Sequence, residues 1–187
     1  VGGFPLPLAD VDVIGGGRAA PGDPLRAVGL LVRAELTEGF ARTRPAPPVD
    51  AVHDRARYAH AFEHQIGQAI RKVMRDWLDR DDIDAVISTG GTGLTGFDVT
   101  VEAMRGLFDK EIDGFSPVFH AVSFQKIGTS TVQSRATAGI ANGKYVFVLP
   151  GSPGACRDAW DEILVKQLDY RHMPCNFVEI MPRLDES

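Results

Sequence analysis

Cysteine is almost missing from this chain: Cys156 and Cys175 are the only two in 187 residues. Two cysteines cannot make a disulfide framework, so free thiols in a reducing compartment are expected. Long apolar runs are missing too. No stretch approaches the roughly 18 apolar residues needed to cross a bilayer. The opening residues, Val1 to Ile14, have neither the basic start nor the long apolar middle of a signal peptide. The chain begins on Val rather than Met, which reads as processing, trimming or incompleteness. Positive charge is not in excess: 20 Lys and Arg stand against 25 Asp and Glu, for a net charge of -5. That balance excludes a protein built to coat itself with nucleic acid, although a local basic groove remains compatible with it. A soluble, acidic, cytoplasmic protein with no membrane or nucleic-acid partner is expected.

A further absence divides the chain. Residues 1 to 62 contain no Ser, Asn, Gln or Lys. This stretch holds the triple glycine Gly15-Gly16-Gly17 and the run Pro45-Ala46-Pro47-Pro48. It reads as loops and linker with at most one good strand, Ala27 to Val32, weakened by Gly29. Glu35 to Phe40 is ambiguous. Residues 1–26 are expected to be a flexible N-terminal segment, residues 27–181 one α/β domain, and residues 182–187 a tail. A hydrophobic share of 44% is enough for a sizeable core, and the length fits one domain.

From residue 63 onward the pattern is orderly. Ile70, Val73, Met74, Trp77 and Leu78 recur at helical spacing, which predicts an amphipathic helix over about 66–79 with Arg71, Lys72, Arg75 and Asp76 on its wet face. Ala85-Val86-Ile87 reads as a buried parallel strand. Thr100 is placed to cap the next helix, whose apolar side carries Met104, Leu107 and Phe108. Residues 115–124 read as a short helix or turn, and Ser130 to Ile140 as either helix or strand. Tyr145 to Leu149 is a strand stopped by Pro150, and Gly154 to about Leu168 a helix that buries Ala155, Ala159, Ile163 and Leu164. The alternation implies an α/β layered fold with a mostly parallel sheet.

Two loops carry the chemistry. Both leave the carboxyl end of a strand and enter a helix, where open α/β sheets bind their ligands. The first runs Ser88-Thr89-Gly90-Gly91-Thr92-Gly93-Leu94-Thr95-Gly96-Phe97-Asp98-Val99-Thr100. Glycines let consecutive backbone N–H groups surround an anion, and the Thr hydroxyls add donors. A phosphate alone would not favour Asp98 at the mouth, but a phosphate with Mg²⁺ would. The bland alternative is a glycine-rich turn in which Asp98 merely opens the next helix. No Gly-Lys-Ser/Thr follows, so this is not a Walker A loop. The second loop, Pro150-Gly151-Ser152-Pro153-Gly154, is a stiff turn onto a helix N-terminus, suited to an anion or serving only as a connector. Ser134-Arg135 offers a planar fork for a phosphate, or a surface ion pair. His60 and His64 sit four apart without an evident third metal ligand. Cys156 lies near a helix start with no adjacent base and is read as structural.

Taken together, these segments resemble the molybdenum cofactor biosynthesis protein B family. The resemblance runs from about residue 69 to 181. It is carried by Thr89-Gly90-Gly91-Thr92-Gly93, Asp98-Val99-Thr100, Leu107-Phe108-Asp109-Lys110-Glu111 and Ile127-Gly128-Thr129-Ser130. It continues through Ser134-Arg135-Ala136, Ala141-Asn142-Gly143, Leu149-Pro150-Gly151-Ser152 and Arg171-His172-Met173-Pro174-Cys175-Asn176-Phe177. It implies a three-layer α/β sandwich with helices on both faces of a mostly parallel sheet, assembled as a trimer or hexamer in the cytoplasm, with other proteins of the molybdenum cofactor pathway as further partners. It also implies binding of molybdopterin, whose terminal phosphate the active relatives join to AMP from MgATP with release of pyrophosphate. By that resemblance Thr89, Gly90, Gly91, Thr92, Gly93 and Thr100 belong to the phosphate loop. Asp98 is the catalytic and Mg²⁺-holding acid, and Ser134, Arg135, Pro150, Gly151 and Ser152 line the pterin side. The first third departs from the family pattern. Leu30-Leu31-Val32-Arg33-Ala34-Glu35 replaces its opening strand and acidic end, and His64-Gln65-Ile66 stands where an acidic pair is usual, with Glu63 as the nearest substitute. The alternative is therefore a non-catalytic molybdopterin-binding or carrier protein of the same pathway.

Overall fold

The protein is seen in a computed structural model that describes residues 28–32 and 52–186, with side chains from His64 onward. The expected N-terminal segment 1–26 and the ambiguous stretch Glu35 to Phe40 lie outside these residues. Five strands form one sheet in the order β1-β2-β5-β4-β3: β1 is Val28–Val32, β2 Ala85–Thr89, β3 Lys110–Glu111, β4 Thr137–Ala141 and β5 Lys144–Leu149. The pairs β1·β2 and β2·β5 are parallel, while β4 is antiparallel to both β5 and β3. Only β4 runs against the rest, so the expected mostly parallel sheet is found. The reversal comes from the turn Asn142-Gly143. Both residues have positive φ, 49° and 68°, as a two-residue hairpin turn requires. The Asn142 amide nitrogen also donates to the carbonyl of Leu78 at 2.9 Å, tying the hairpin to a helix end.

That helix, α1, spans Val52–Leu78. It starts well before the expected residue 66, so the reading of residues 1 to 62 as loop and linker fails from Val52 on. From Val49 to Ile66 there is neither Gly nor Pro, and Ala and Arg are good helix formers. The remaining helices are α2 (Thr100–Arg105), α3 (Phe115–Ile127), α4 (Pro153–Ala159) and α5 (Phe177–Ile180). A π-helical turn at Trp160–Leu164 and a last turn at Val165–Gln167 extend α4, so the expected helix from 154 to 168 is present with a bulge. The undecided stretch from Ser130 to Ile140 contains both a 3₁₀ segment, Gly128–Gln133, and β4.

The strand pleat sorts the core into two layers. Val86, Val146 and Val148 face α1 and α2, where they meet Ile70, Met74, Trp77, Val101 and Met104. Ala85, Ile87, Tyr145, Phe147 and Leu149 face the other way, onto Phe115 and Phe119 of α3 and Ala159, Ile163 and Leu164 of the α4 region. Helices on both faces make the three-layer sandwich. Phe177, Met181 and Leu184 also pack against the second layer, so packing continues past residue 181 into the expected tail.

Tyr145 anchors this C-terminal segment. Its hydroxyl donates to the carbonyl of Phe177 at 2.7 Å, and the two rings lie 4.9 Å apart. Burial pushes its phenol from the ordinary 10 up to about 12. The unfolded chain therefore ionises this tyrosine first as pH rises, and stability falls between pH 10 and about 12. Tyr145→Phe is expected to cost about 1 kcal/mol at neutral pH, because the Phe177 carbonyl loses its donor. It should also flatten the alkaline part of the stability curve, read as denaturant midpoint against pH for both proteins.

Candidate functional site

The parallel pairing of β2 and β5 decides the site. Thr89 and Leu149 are register partners at the carboxyl ends of neighbouring strands, so the loops that follow emerge side by side. They touch. The Gly90 N–H donates to Leu149 O at 2.9 Å, and the Thr89 hydroxyl donates to Pro150 O at 3.0 Å. A Cβ on Gly151 would lie 3.1 Å from the Cα of Gly90. Both loops therefore share one mouth, and glycine at both positions permits the approach. Gly90 and Gly91 have φ of 92° and 66°, values that side-chain-bearing residues rarely adopt.

Asp98 closes the far limb of the glycine loop. Its Oδ2 accepts from the Thr95 N–H at 3.1 Å and from the Thr95 hydroxyl at 2.6 Å. The same carboxylate fills the space where a Cβ on Gly93 would stand, at 2.7 Å, so Gly93 is glycine because Asp98 folds over it. The carboxylate thus lies against the backbone of the glycine loop.

Some expected site residues are placed differently. Thr100 is not a cap: Val99 holds that position without a side-chain bond, and Thr100 is the first helical residue. Its N–H donates instead to Gly91 O at 3.0 Å, so the loop itself satisfies the helix start. The Thr100 hydroxyl is buried without a hydrogen-bond partner, as is that of Ser88. Thr92 is buried as well, so the loop offers its backbone rather than these two threonine hydroxyls. Ser152 is the N-cap of α4, accepting from the Ala155 N–H at 3.2 Å. Ser134 is half-buried, and its carbonyl lies 3.0 Å from Nε2 of His120.

Arg135 is brought to the glycine loop from a distance of about forty residues in sequence. Its Nε donates to the carbonyls of Gly93 at 3.0 Å and Thr92 at 3.2 Å, and its Nη2 to the carbonyl of Asp98 at 2.6 Å. The guanidinium also pairs with the carboxylate of Glu102. Glu102 was not foreseen. An acid two residues after Thr100, in the first turn of a helix that opens at the glycine loop, was the available signal. Partial burial opposes its ionisation, yet the Arg135 hydrogen bond and the charges of Arg135 and Arg105 prevail and hold its carboxyl below the usual range.

On the α4 side a cavity of about 210 Å³ is lined by Ile87, Thr89, Leu149, Cys156, Trp160 and Leu164. The Cys156 thiol lies 3.1 Å from the Thr89 hydroxyl and 3.3 Å from Pro150 O. Both cysteines are free, as expected. Cys156 supports the junction of the two loops, in keeping with a structural role. Among the described residues no group of three or more His, Cys, Asp and Glu could hold a metal ion, and no helix is long and apolar enough to cross a membrane.

The chain is an α/β protein whose two glycine-bearing loops meet at the carboxyl ends of neighbouring parallel strands, the end at which open α/β sheets bind their ligands. The chain belongs to the family described as probable molybdopterin binding domain, whose model matches residues 60–170. Molybdenum cofactor biosynthesis protein B of Escherichia coli (strain K12) is 53% identical over 109 residues, which are 58% of this chain and 64% of that protein. A probable molybdopterin adenylyltransferase of Methanocaldococcus jannaschii is 43% identical over 90 residues, 48% of this chain and 55% of that one. The chain thus spans less than two thirds of these relatives. A crystal structure of a molybdenum cofactor biosynthesis protein B superposes with a TM-score of 0.56 at 34% identity, covering 65% of this chain and 70% of that one.

Proposed function

We propose that this protein acts in molybdenum cofactor biosynthesis, binding molybdopterin and joining its terminal phosphate to AMP from MgATP with release of pyrophosphate. The observation that carries this reading is the close approach of Gly90 and Gly151, which sets the two glycine-bearing loops side by side at the carboxyl ends of β2 and β5. The name of the M. jannaschii relative supports the adenylation step. In this reading the backbone N–H groups of Gly91, Thr92 and Gly93 hold the nucleotide phosphates, while Thr89 and Gly90, whose hydroxyl and N–H donate to Pro150 O and Leu149 O, join the two loops. Ser134, Pro150, Gly151 and Ser152 border the pterin side. Thr100 contributes through its backbone, since its hydroxyl is buried. An oxygen of the pterin phosphate forms a bond to the α-phosphorus of ATP, and the bond from that phosphorus to pyrophosphate breaks. The protein supplies positioning and charge neutralisation.

Mg²⁺ fits the donor set present. It binds through one or two carboxylates with substrate phosphates and water rather than in an all-protein cage, and Asp98 is a carboxylate against the phosphate loop. When bound it would offset charge on the departing pyrophosphate. Self-association into a trimer or hexamer in the cytoplasm belongs to the same reading, supported by the exposed Val118, Phe124, Ile127 and Val132 on and after α3.

The test is direct. The full chain is incubated with molybdopterin and MgATP, and pyrophosphate and adenylated pterin are measured. Formation of both is the expected result. Tight calorimetric binding of molybdopterin without turnover would move the assignment to the carrier, and absence of binding to either ligand would overturn the reading. Gly151→Val places branched carbons against Gly90 and is expected to weaken pyrophosphate binding about tenfold, the equivalent of one or two lost backbone contacts to an anion. Calorimetric titration checks it, with the thermal midpoint close to that of the parent.

A further inference from the structure

We propose that Arg135 and Glu102 form a latch that holds the glycine loop in its anion-binding shape, Arg135 acting as a positioning residue rather than as a contact to the ligand. The proposal deepens the reading of the loop as a phosphate cradle and rests on it.

Three elements meet at the guanidinium: the glycine loop, α2 through Glu102, and the segment leading into β4 that carries Arg135. Nε is shared by the carbonyls of Thr92 and Gly93, Nη2 bonds the carbonyl of Asp98, and both Nη atoms reach the Glu102 carboxylate. These carbonyls lie on both limbs of the loop, so a single side chain fixes its width. The planar fork suits this task, because its donors leave in fixed directions. Little donor capacity is left for an incoming phosphate.

The peptide geometry gives the latch a consequence for binding. In a trans peptide the C=O of one residue and the N–H of the next point in opposite directions. Drawing the carbonyls of Thr92, Gly93 and Asp98 toward Arg135 therefore turns the N–H groups of Gly93, Leu94 and Val99 away from it. A glycine-rich loop has little stiffness of its own, and without the guanidinium these peptides could rotate. Glu102 has the complementary role. It holds the guanidinium against the loop and neutralises it, so that the cation does not leave for the anion it is helping to place.

Sign distinguishes a latch from a direct contact. If Arg135 touched the phosphate, removing the negative charge of Glu102 would free the guanidinium and tighten anion binding. If Arg135 is a latch, the same change loosens the loop and weakens binding. The experiment uses the full chain, with inorganic pyrophosphate as the calorimetric probe and amide hydrogen exchange over residues 90–99 as the second readout. Glu102→Gln is expected to weaken pyrophosphate binding about threefold and Arg135→Lys about tenfold, since lysine keeps the charge but loses the fork. Both should speed exchange in the loop while leaving β2 and β5 protected. The double variant should be no worse than Arg135→Lys alone, because the two residues act as one unit. Tighter binding in Glu102→Gln, or unchanged loop exchange in Arg135→Lys, overturns the latch. Faster loop exchange in a protein whose parent binds no pyrophosphate sustains the latch and overturns the cradle reading instead.

Discussion

Phe147→Ala is expected to lower the stability of the domain by about 3–5 kcal/mol, the usual cost of emptying an aromatic site in a packed core. Phe147 sits in the central strand β5, is fully buried, and joins three parts of the chain. Its ring lies 5.5 Å from Phe115 at the start of α3, 6.2 Å from Tyr145 on its own strand, and 5.7 Å from Phe177 in the C-terminal segment. Alanine there removes the shared wall of all three contacts, and sheet backbone cannot collapse to refill it. Thermal and denaturant unfolding measure the loss. A comparison variant, Val165→Ala at an exposed position after the π-helical turn, should stay within about 0.5 kcal/mol of the parent. Limited proteolysis adds a local readout: with Phe147 gone, cleavage between Asn176 and Leu184 should appear before cleavage elsewhere in the domain. A loss below about 1.5 kcal/mol would show that the layer rearranges around the gap and that Phe147 is not its centre.

The elements that could be read in advance are those whose residues act locally. Tyr145 to Leu149 alternates between two buried faces and ends at Pro150, so strand and stop are both written in the chain. The two glycine loops announce themselves by composition, and their contact follows once β2 and β5 are neighbours in a parallel sheet. Where the reading failed, structure depends on partners far away or on an average taken too widely. The Ala- and Arg-rich turns of α1 before residue 63 were hidden by the glycines and prolines of the preceding stretch. Ser130 to Ile140 stayed undecided because it is two elements, a 3₁₀ segment and β4, with β-branched residues in both. Thr100 looked like a cap because threonine before an apolar run often is one, yet the carbonyl of Gly91 already meets its N–H. The pairing of Arg135 with Glu102 spans 33 positions, and no local pattern marks it.

Asp98→Asn is expected to lower adenylation turnover by about 10²–10³-fold, the range seen when one preorganised charge-stabilising group is removed. The substitution is close to isosteric. An asparagine side-chain oxygen can still accept from the N–H and hydroxyl of Thr95, so the loop should keep its shape and the space above Gly93 should stay filled. What disappears is the negative charge. Two measurements separate that loss from a distorted loop. Pyrophosphate binding without metal should be unchanged or slightly tighter, since a like charge near the anion is gone. Addition of Mg²⁺ should then improve binding less in the variant than in the parent, because the carboxylate that favours the cation is missing. The thermal midpoint should remain near that of the parent. Turnover equal to the parent would remove Asp98 from the chemistry and leave it only the task of bracing Thr95. Weaker metal-free binding would point to a deformed loop. Lost turnover with intact metal-free binding and a blunted Mg²⁺ response is the pattern that a metal-orienting carboxylate alone produces.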